Sequence, residues 1–285
     1  MKKLVFLLCF ALLAVSKASA DGFVDNNGVF TIISGPELGS QIQALAVNGL
    51  GQVVGTDAAG AFIFSNGTLT QLNLSGMIPN GINNAGAIVF DAPNIGFLDV
   101  GGTLTPLAFP GAIYSEPTAI ANNGVVVGVY ELPGSANLQS WVYSGGTFTA
   151  LNAPGAIDTR VFGVNDQGEM VGASFNGTTV TNFLYNNGQF TNIGVEGLGI
   201  NGLGQIVGDV GGLGFVGDGV HFTTFSEPGA TSTVAKGIND EGEIVGVAMF
   251  PVPAPEPGTL LLLVCGIGVL GLLGTVYRNF RTRES

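Results

Sequence analysis

The sequence predicts an all-β fold: a six-bladed β-propeller built from repeats of about 38 residues. Three observations predict it. First, a ten-residue phrase, small-apolar-Asn-x-x-Gly-x-apolar-apolar-Gly, runs through Gly237-Ile238-Asn239-Asp240-Glu241-Gly242-Glu243-Ile244-Val245-Gly246. It starts again at Ala46, Gly81, Ala119, Gly163 and Gly199, a period of 35 to 44 residues. Second, a phrase of the form aromatic-x-x-x-x-Gly-x-aromatic/Leu-Thr alternates with it, as in Phe62-Ile63-Phe64-Ser65-Asn66-Gly67-Thr68-Leu69-Thr70. Third, each phrase reads as a hairpin, so every period holds four short strands. Six such periods need about 240 residues, and Asp21 to Gly258 supplies 238.

The chain opens with addressing rather than fold. Residues 1–20 combine the basic start Met1-Lys2-Lys3, an apolar run from Leu4 to Val15 and the small-x-small site Ala18-Ser19-Ala20. That is the layout of a secretory signal peptide whose helix is removed before Asp21.

Residues 21–250 form the repeat body. The phrase Asn falls at Asn48, Asn83, Asn165, Asn201 and Asn239, with Ala121 in its place once. Asn at the head of a turn bonds the backbone two residues on, and the Gly three positions later takes a left-handed site. A three- or four-residue hairpin with a bulge at that Gly follows. Gly or Ala two positions before each Asn fits strands that converge on a narrow axis. The aromatic phrase recurs from Phe23, Phe97, Trp141, Phe183 and Phe215, with Asn-Gly or Gly-Gly at the centre of several copies. Such pairs favour tight hairpin turns.

The order of the pieces predicts how the ring closes. A blade is an Asn unit followed by an aromatic hairpin. The first hairpin (Phe23 to Thr31) lacks an Asn unit before it, and the last Asn unit (Gly237 to Gly246) lacks a hairpin after it. Pairing them removes two exposed edges. Between blades, Pro110-Gly111-Ala112, Pro154-Gly155-Ala156 and Pro228-Gly229-Ala230 carry type II turn chemistry and fall on one rim.

Residues 251–258 are a Pro-rich extended linker. Residues 259–277 carry no charge, and as a helix they reach roughly 28 Å, enough to span a bilayer. Residues 278–285 form a basic tail whose Arg278, Arg281 and Arg283 place the C-terminus in the cytoplasm.

Pro255-Glu256-Pro257, the apolar segment and the terminal arginines together resemble the PEP-CTERM sorting signal of Gram-negative bacteria. That resemblance implies recognition by an exosortase, a membrane cysteine peptidase, after tethering in the inner membrane. It also implies a destination at the cell surface or outside the cell, in exopolysaccharide-forming species. Such tails are also labelled an ice-binding protein C-terminal domain. The repeats from Phe23 to Gly246 are similar to extracellular HAF repeats, which bring no catalytic residue.

Composition restricts the chemistry. The body holds 18 carboxylates against two basic residues, Arg160 and Lys236, so it repels phosphate backbones and nucleic-acid binding is excluded. It has no cysteine before Cys265 and one histidine, His221. Zinc ligation and a Ser/His or Cys/His nucleophile therefore lack their parts, and no cofactor is implied. Asp166 with Glu169, or Asp240 with Glu241 and Glu243, could hold calcium. Equivalent turns at Asn48, Asn83 and Asn201 lack those acids, so a turn role is preferred.

The expected function is a non-catalytic surface or matrix interaction module, with an exopolysaccharide or other surface glycan among its partners. Two alternatives stand beside it. One is a glycan-active enzyme using rim carboxylates. The other is an ice- or surface-binding β-solenoid with a Thr ladder, although Thr31, Thr70, Thr105, Thr149, Thr191 and Thr223 occur only once per period.

Overall fold

A computed structural model describes residues 20–33 and 41–251. The expected signal segment lies outside the described residues except for Ala20, which begins the first strand. The sorting motif Pro255, Glu256 and Pro257, the 259–277 segment and the flanking Arg278, Arg281 and Arg283 also lie outside them. No helix among the described residues is long and apolar enough to cross a membrane.

The described chain is all strand. Its first hairpin is β1 (Ala20–Asn26) and β2 (Val29–Ile33). The first complete blade is β3 (Gln43–Val47), β4 (Val53–Asp57), β5 (Gly60–Ser65) and β6 (Thr68–Gln71). The second is β7 (Ile78–Ile82), β8 (Ile88–Asp91), β9 (Gly96–Val100) and β10 (Thr103–Leu107). The third is β11 (Tyr114–Ile120), β12 (Val126–Glu131), β13 (Gln139–Ser144) and β14 (Thr147–Leu151). The fourth is β15 (Asp158–Val164), β16 (Met170–Phe175), β17 (Val180–Asn186) and β18 (Gln189–Asn192). The fifth is β19 (Glu196–Ile200), β20 (Ile206–Val210), β21 (Leu213–Gly217) and β22 (Phe222–Phe225). Finally β23 (Ser232–Ile238) and β24 (Glu243–Met249) form the last Asn unit.

Ring closure follows the expectation. The sixth sheet has the order β23-β24-β1-β2, and β1 pairs antiparallel with β24 from Ala20↔Met249 to Asn26↔Glu243. The innermost strand of each blade touches the next, and β23 returns to β3. A closed ring leaves no place for the open solenoid. The recurring threonines are distributed one per outer strand, all exposed, instead of forming a ladder on one face.

The core is divided into six clusters, each assembled from neighbouring blades. One joins Ala121 and Val127 to Val161, Met170 and Phe183, and another joins Val171, Ile193 and Ile200 to Ile206 and Phe215. Middle strands are covered on both faces, which explains why Val126 to Tyr130 are all buried without alternation. Each blade centres on one fully buried aromatic ring: Phe62, Phe90, Trp141, Phe183, Phe215 or Phe23. The ring needs a bare backbone opposite it. At Gly208 a Cβ would stand 2.0 Å from the Glu196 carbonyl oxygen and 2.8 Å from the Phe215 ring. The second blade departs from this arrangement. Phe90 there occupies the place of the phrase's closing Gly and pairs with Phe97, while a Cβ on the neighbouring Gly96 would stand 2.0 Å from the Pro117 ring and 2.7 Å from the Phe90 carbonyl oxygen.

Every inner strand also carries a bulge that periodicity did not announce. Register slips between Ala44/Ala46, Pro79/Gly81, Pro117/Ala119, Val161/Gly163, Gly197/Gly199 and Ala235/Gly237. The extra residue bends the strand and turns a side chain into the axial opening.

Candidate functional site

The axis comes first, because the repeated phrase lies on it. Each phrase Asn heads a turn: Gly51 N–H donates to the Asn48 carbonyl at 3.1 Å, and Asn48 N–H to the Gln52 carbonyl at 3.1 Å. Gly51 sits at φ 68°, in the left-handed region. The expected short hairpin with a glycine bulge is therefore present.

The Asn side chain does more than turn the chain. Asn201 Oδ1 accepts from the backbone N–H of Leu203 (3.1 Å) and Gln205 (2.9 Å). Its Nδ2 donates to Gln205 Oε1 (2.8 Å) and across the blade boundary to the Asn239 carbonyl (2.9 Å). All four capacities of the carboxamide are filled in a 3% exposed residue. Asn239 donates in the same way to the Asn48 carbonyl, Asn48 to Asn83, Asn83 to Ala121 and Asn165 to Asn201. The result is a belt of hydrogen bonds around the ring, open only where Ala121 stands. There Asn123 substitutes, donating from Nδ2 to the Asp166 carbonyl at 3.0 Å.

Of the acids weighed for calcium, Asp166, Glu169, Asp240 and Glu243 belong to this belt. Glu169 Oε2 accepts from Asn165 Nδ2 and Glu243 Oε2 from Asn239 Nδ2, each at 2.8 Å. Gln52 and Gln205 hold the same positions in other blades. Asp166 and Asp240 accept backbone N–H groups of Asn123 and Gly202 in the preceding blade. Among the described residues no group of three or more His, Cys, Asp or Glu is placed to hold a metal. His221 is a surface residue with an 86% exposed side chain, 3.4 Å from Asp218.

The axial opening itself is plugged. Val47, Ile82, Ile120, Val164, Ile200 and Ile238, one per blade and all buried, separate two small cavities of about 60 and 80 Å³. Beside this plug the small residues expected at the axis pack backbone to backbone; a Cβ on Gly237 would meet the Ala46 Cα at 3.1 Å.

The opposite rim is where ionisable chemistry collects. The Pro-Gly loops run there as type II turns, with Ala156 N–H donating to the Ala153 carbonyl and Gly155 at φ 76°. Each is latched by a buried hydroxyl six residues on: Ser115, Thr159 and Thr233 accept the N–H of Phe109, Ala153 and Glu227.

At the loop ends of β8, β11 and β15, Asp91, Tyr114, Glu116, Asp158 and Arg160 interact as one electrostatic cluster. Burial, then the charge of Glu116, pushes the Asp91 carboxyl up to about 6, and its Oδ1 is buried without a hydrogen-bond partner. Glu116 receives the Tyr114 hydroxyl on Oε2 and Asn80 Nδ2 on Oε1 at 3.3 Å. Burial and then that bond to Glu116 raise the Tyr114 phenol. Arg160 makes two hydrogen bonds to Asp158, at 2.9 and 3.1 Å, which raise its own value. One carboxyl whose titration is raised toward neutral pH, next to another that accepts hydrogen bonds, suits acid–base work or polar-ligand recognition. No short motif marks the cluster, because its members come from three blades.

No protein-family model matches the chain, and no curated protein matches it. Solved structures do resemble it. A structure described as TolB from Agrobacterium tumefaciens aligns with a TM-score of 0.59 and 15% identity, over 83% of this chain and 100% of that one. TolB from Acinetobacter baumannii aligns with a TM-score of 0.53 and 9% identity, over 81% of this chain and 63% of that one. Likeness at such identity establishes the shared architecture alone. The chain is a six-bladed β-propeller protein.

Proposed function

We propose that this chain is an exported, non-catalytic interaction module of the cell surface or extracellular matrix, delivered by a C-terminal PEP-CTERM sorting signal. The belt is the observation that carries the reading. The polar residues shared by the repeats use their hydrogen bonds to hold blades together, leaving a rigid ring whose loops are free to differ. The glycan partner and exosortase processing follow from the resemblance of Pro255-Glu256-Pro257 and the arginine-ended tail to that signal. Intact masses from membrane, cell surface and medium test the sorting part. A species ending near Pro255 outside the cell supports it, and a protein that retains Arg283 in every fraction contradicts it.

A second reading, a glycan-active enzyme, is favoured by one specific observation, the Asp91–Glu116 pairing on the rim. Its test is turnover of a polysaccharide by the purified protein. Activity abolished by Glu116→Gln with unchanged thermal stability establishes catalysis and removes the module reading.

A further inference from the structure

Comparison of the third and fourth blades exposes a place where the repeat has been emptied. In the third blade, Phe109 from the Pro-Gly loop stacks on Tyr130 with ring centroids 3.8 Å apart, and Phe148 closes the group edge-on at 5.9 Å. Pairing register fixes the counterparts in the fourth blade. Ser174 opposite Thr181 corresponds to Tyr130 opposite Gln139, and Phe183 opposite Asn192 to Trp141 opposite Ala150. The equivalent turn and hydroxyl latch equate Ala153 with Phe109. Both stacking rings are therefore absent, and the space they would fill is a cavity of about 480 Å³.

The lining was exchanged along with the volume. Phe183 and the half-buried Phe190 remain as an aromatic floor, packed edge to face at 4.9 Å. Thr181 and Asn192 have replaced Gln139 and Ala150 on the walls, and Thr179 and Gln189 complete them. Among the described residues the hydroxyls of Thr179 and Thr181 and the carboxamide of Gln189 have no protein partner, and Asn192 uses only its Oδ1, accepting from Gly194 N–H. No ionisable side chain lines the cavity. The volume falls in the roughly 300–1,000 Å³ range of small-molecule sites.

We infer that this cavity, between the Ala153-Pro154 turn and the outer half of the fourth blade, binds a neutral pyranose unit of a glycan. The C–H face of a sugar ring stacks on the Phe190 ring, and its hydroxyls exchange hydrogen bonds with Thr181, Asn192 and Gln189. An anionic sugar meets no cation here. An aromatic side chain of a protein partner would fill the space but leave those polar walls unpaired. The inference rests on the interaction-module reading and names where that module holds its ligand.

Calorimetric titration of the full chain with cellotriose, maltotriose and triacetylchitotriose, and with trigalacturonate as the anionic probe, tests it. Saturable binding of at least one neutral probe is expected, with trigalacturonate silent. Ala153→Phe combined with Ser174→Tyr rebuilds the aromatic stack and should weaken binding at least about tenfold with an unchanged or higher thermal midpoint. Should that double variant not fold, Asn192→Ala decides, with a loss of about three- to tenfold, the equivalent of one hydrogen bond. No binding of any neutral probe, equal binding of trigalacturonate, or binding untouched by the folded variants overturns the site. In that last case the module reading survives, whereas probe turnover lost in Glu116→Gln overturns the module reading instead.

Discussion

Replacing Asn201 by Ala should cost this protein more than any surface substitution, and the structure sets the amount. The side chain is 3% exposed and makes four hydrogen bonds, two from the backbone of its own turn and two as donor. Each is worth about 0.5–1.5 kcal/mol net, and buried groups left alone cost more. Leu203 is 71% exposed, so its freed N–H reaches water and adds little. The buried carbonyl of Asn239 does not, and it keeps only the Gly242 N–H at 3.2 Å. The expected loss is about 3 kcal/mol, or roughly 6–12 °C in thermal midpoint for a domain of this size. Calorimetry and urea unfolding of the variant against the parent measure it, with Asn176→Ala, an exposed turn Asn whose side chain bonds only the Thr178 and Thr179 N–H groups, as control. The converse substitution, Ala121→Asn, should gain only about 1 kcal/mol, because Asn123 already bridges that gap. A change of less than about 2 °C in Asn201→Ala, or a loss no larger than the control's, refutes the reasoning that the belt holds the blades together.

Two further outcomes follow from local geometry. Gly208→Ala should destabilise by about 3 kcal/mol in urea unfolding, since the added Cβ meets the Glu196 carbonyl and the Phe215 ring; a change near zero contradicts the close packing described. The raised Asp91 carboxyl, about 6 when folded against 3.8 unfolded, makes the folded state hold the extra proton. Stability is thus lost as pH rises from about 4 to about 6 and stays lost above. Asp91→Asn should match the parent near pH 4 and exceed it at pH 7. A residual slope should persist from Glu227, raised by burial and by Asp21. Equal urea midpoints for parent and variant at pH 7 contradict this.

Local chemistry was what the sequence made legible. Asn-x-x-Gly and Pro-Gly each demand a backbone conformation that few residues supply, so the turns at Asn48 and Ala153 could be read directly. The unpaired pieces at the two ends of the body pointed to β1 lying beside β24. Three-dimensional partners were not legible. The donation from Asn201 to Asn239 crosses 38 residues, and the inner-strand bulges cancel in any count of periodicity. The exchange of Gly for Phe90 hid inside a phrase that otherwise matched. Asp91 and Glu116 carry no motif, and the emptied cavity shows only when Ala153 and Ser174 are set against Phe109 and Tyr130.

The closed ring is tested most directly by cross-linking its seam. Cysteines in place of Asn26 and Glu243, directly paired across β1 and β24 with their side chains in contact, are introduced with Cys9 and Cys265 changed to serine. Oxidation should then give a near-quantitative intramolecular disulfide and a raised unfolding midpoint, reversed by reductant. Free thiols after oxidation, or disulfide-linked dimers alone, would mean that the two ends of the body do not meet.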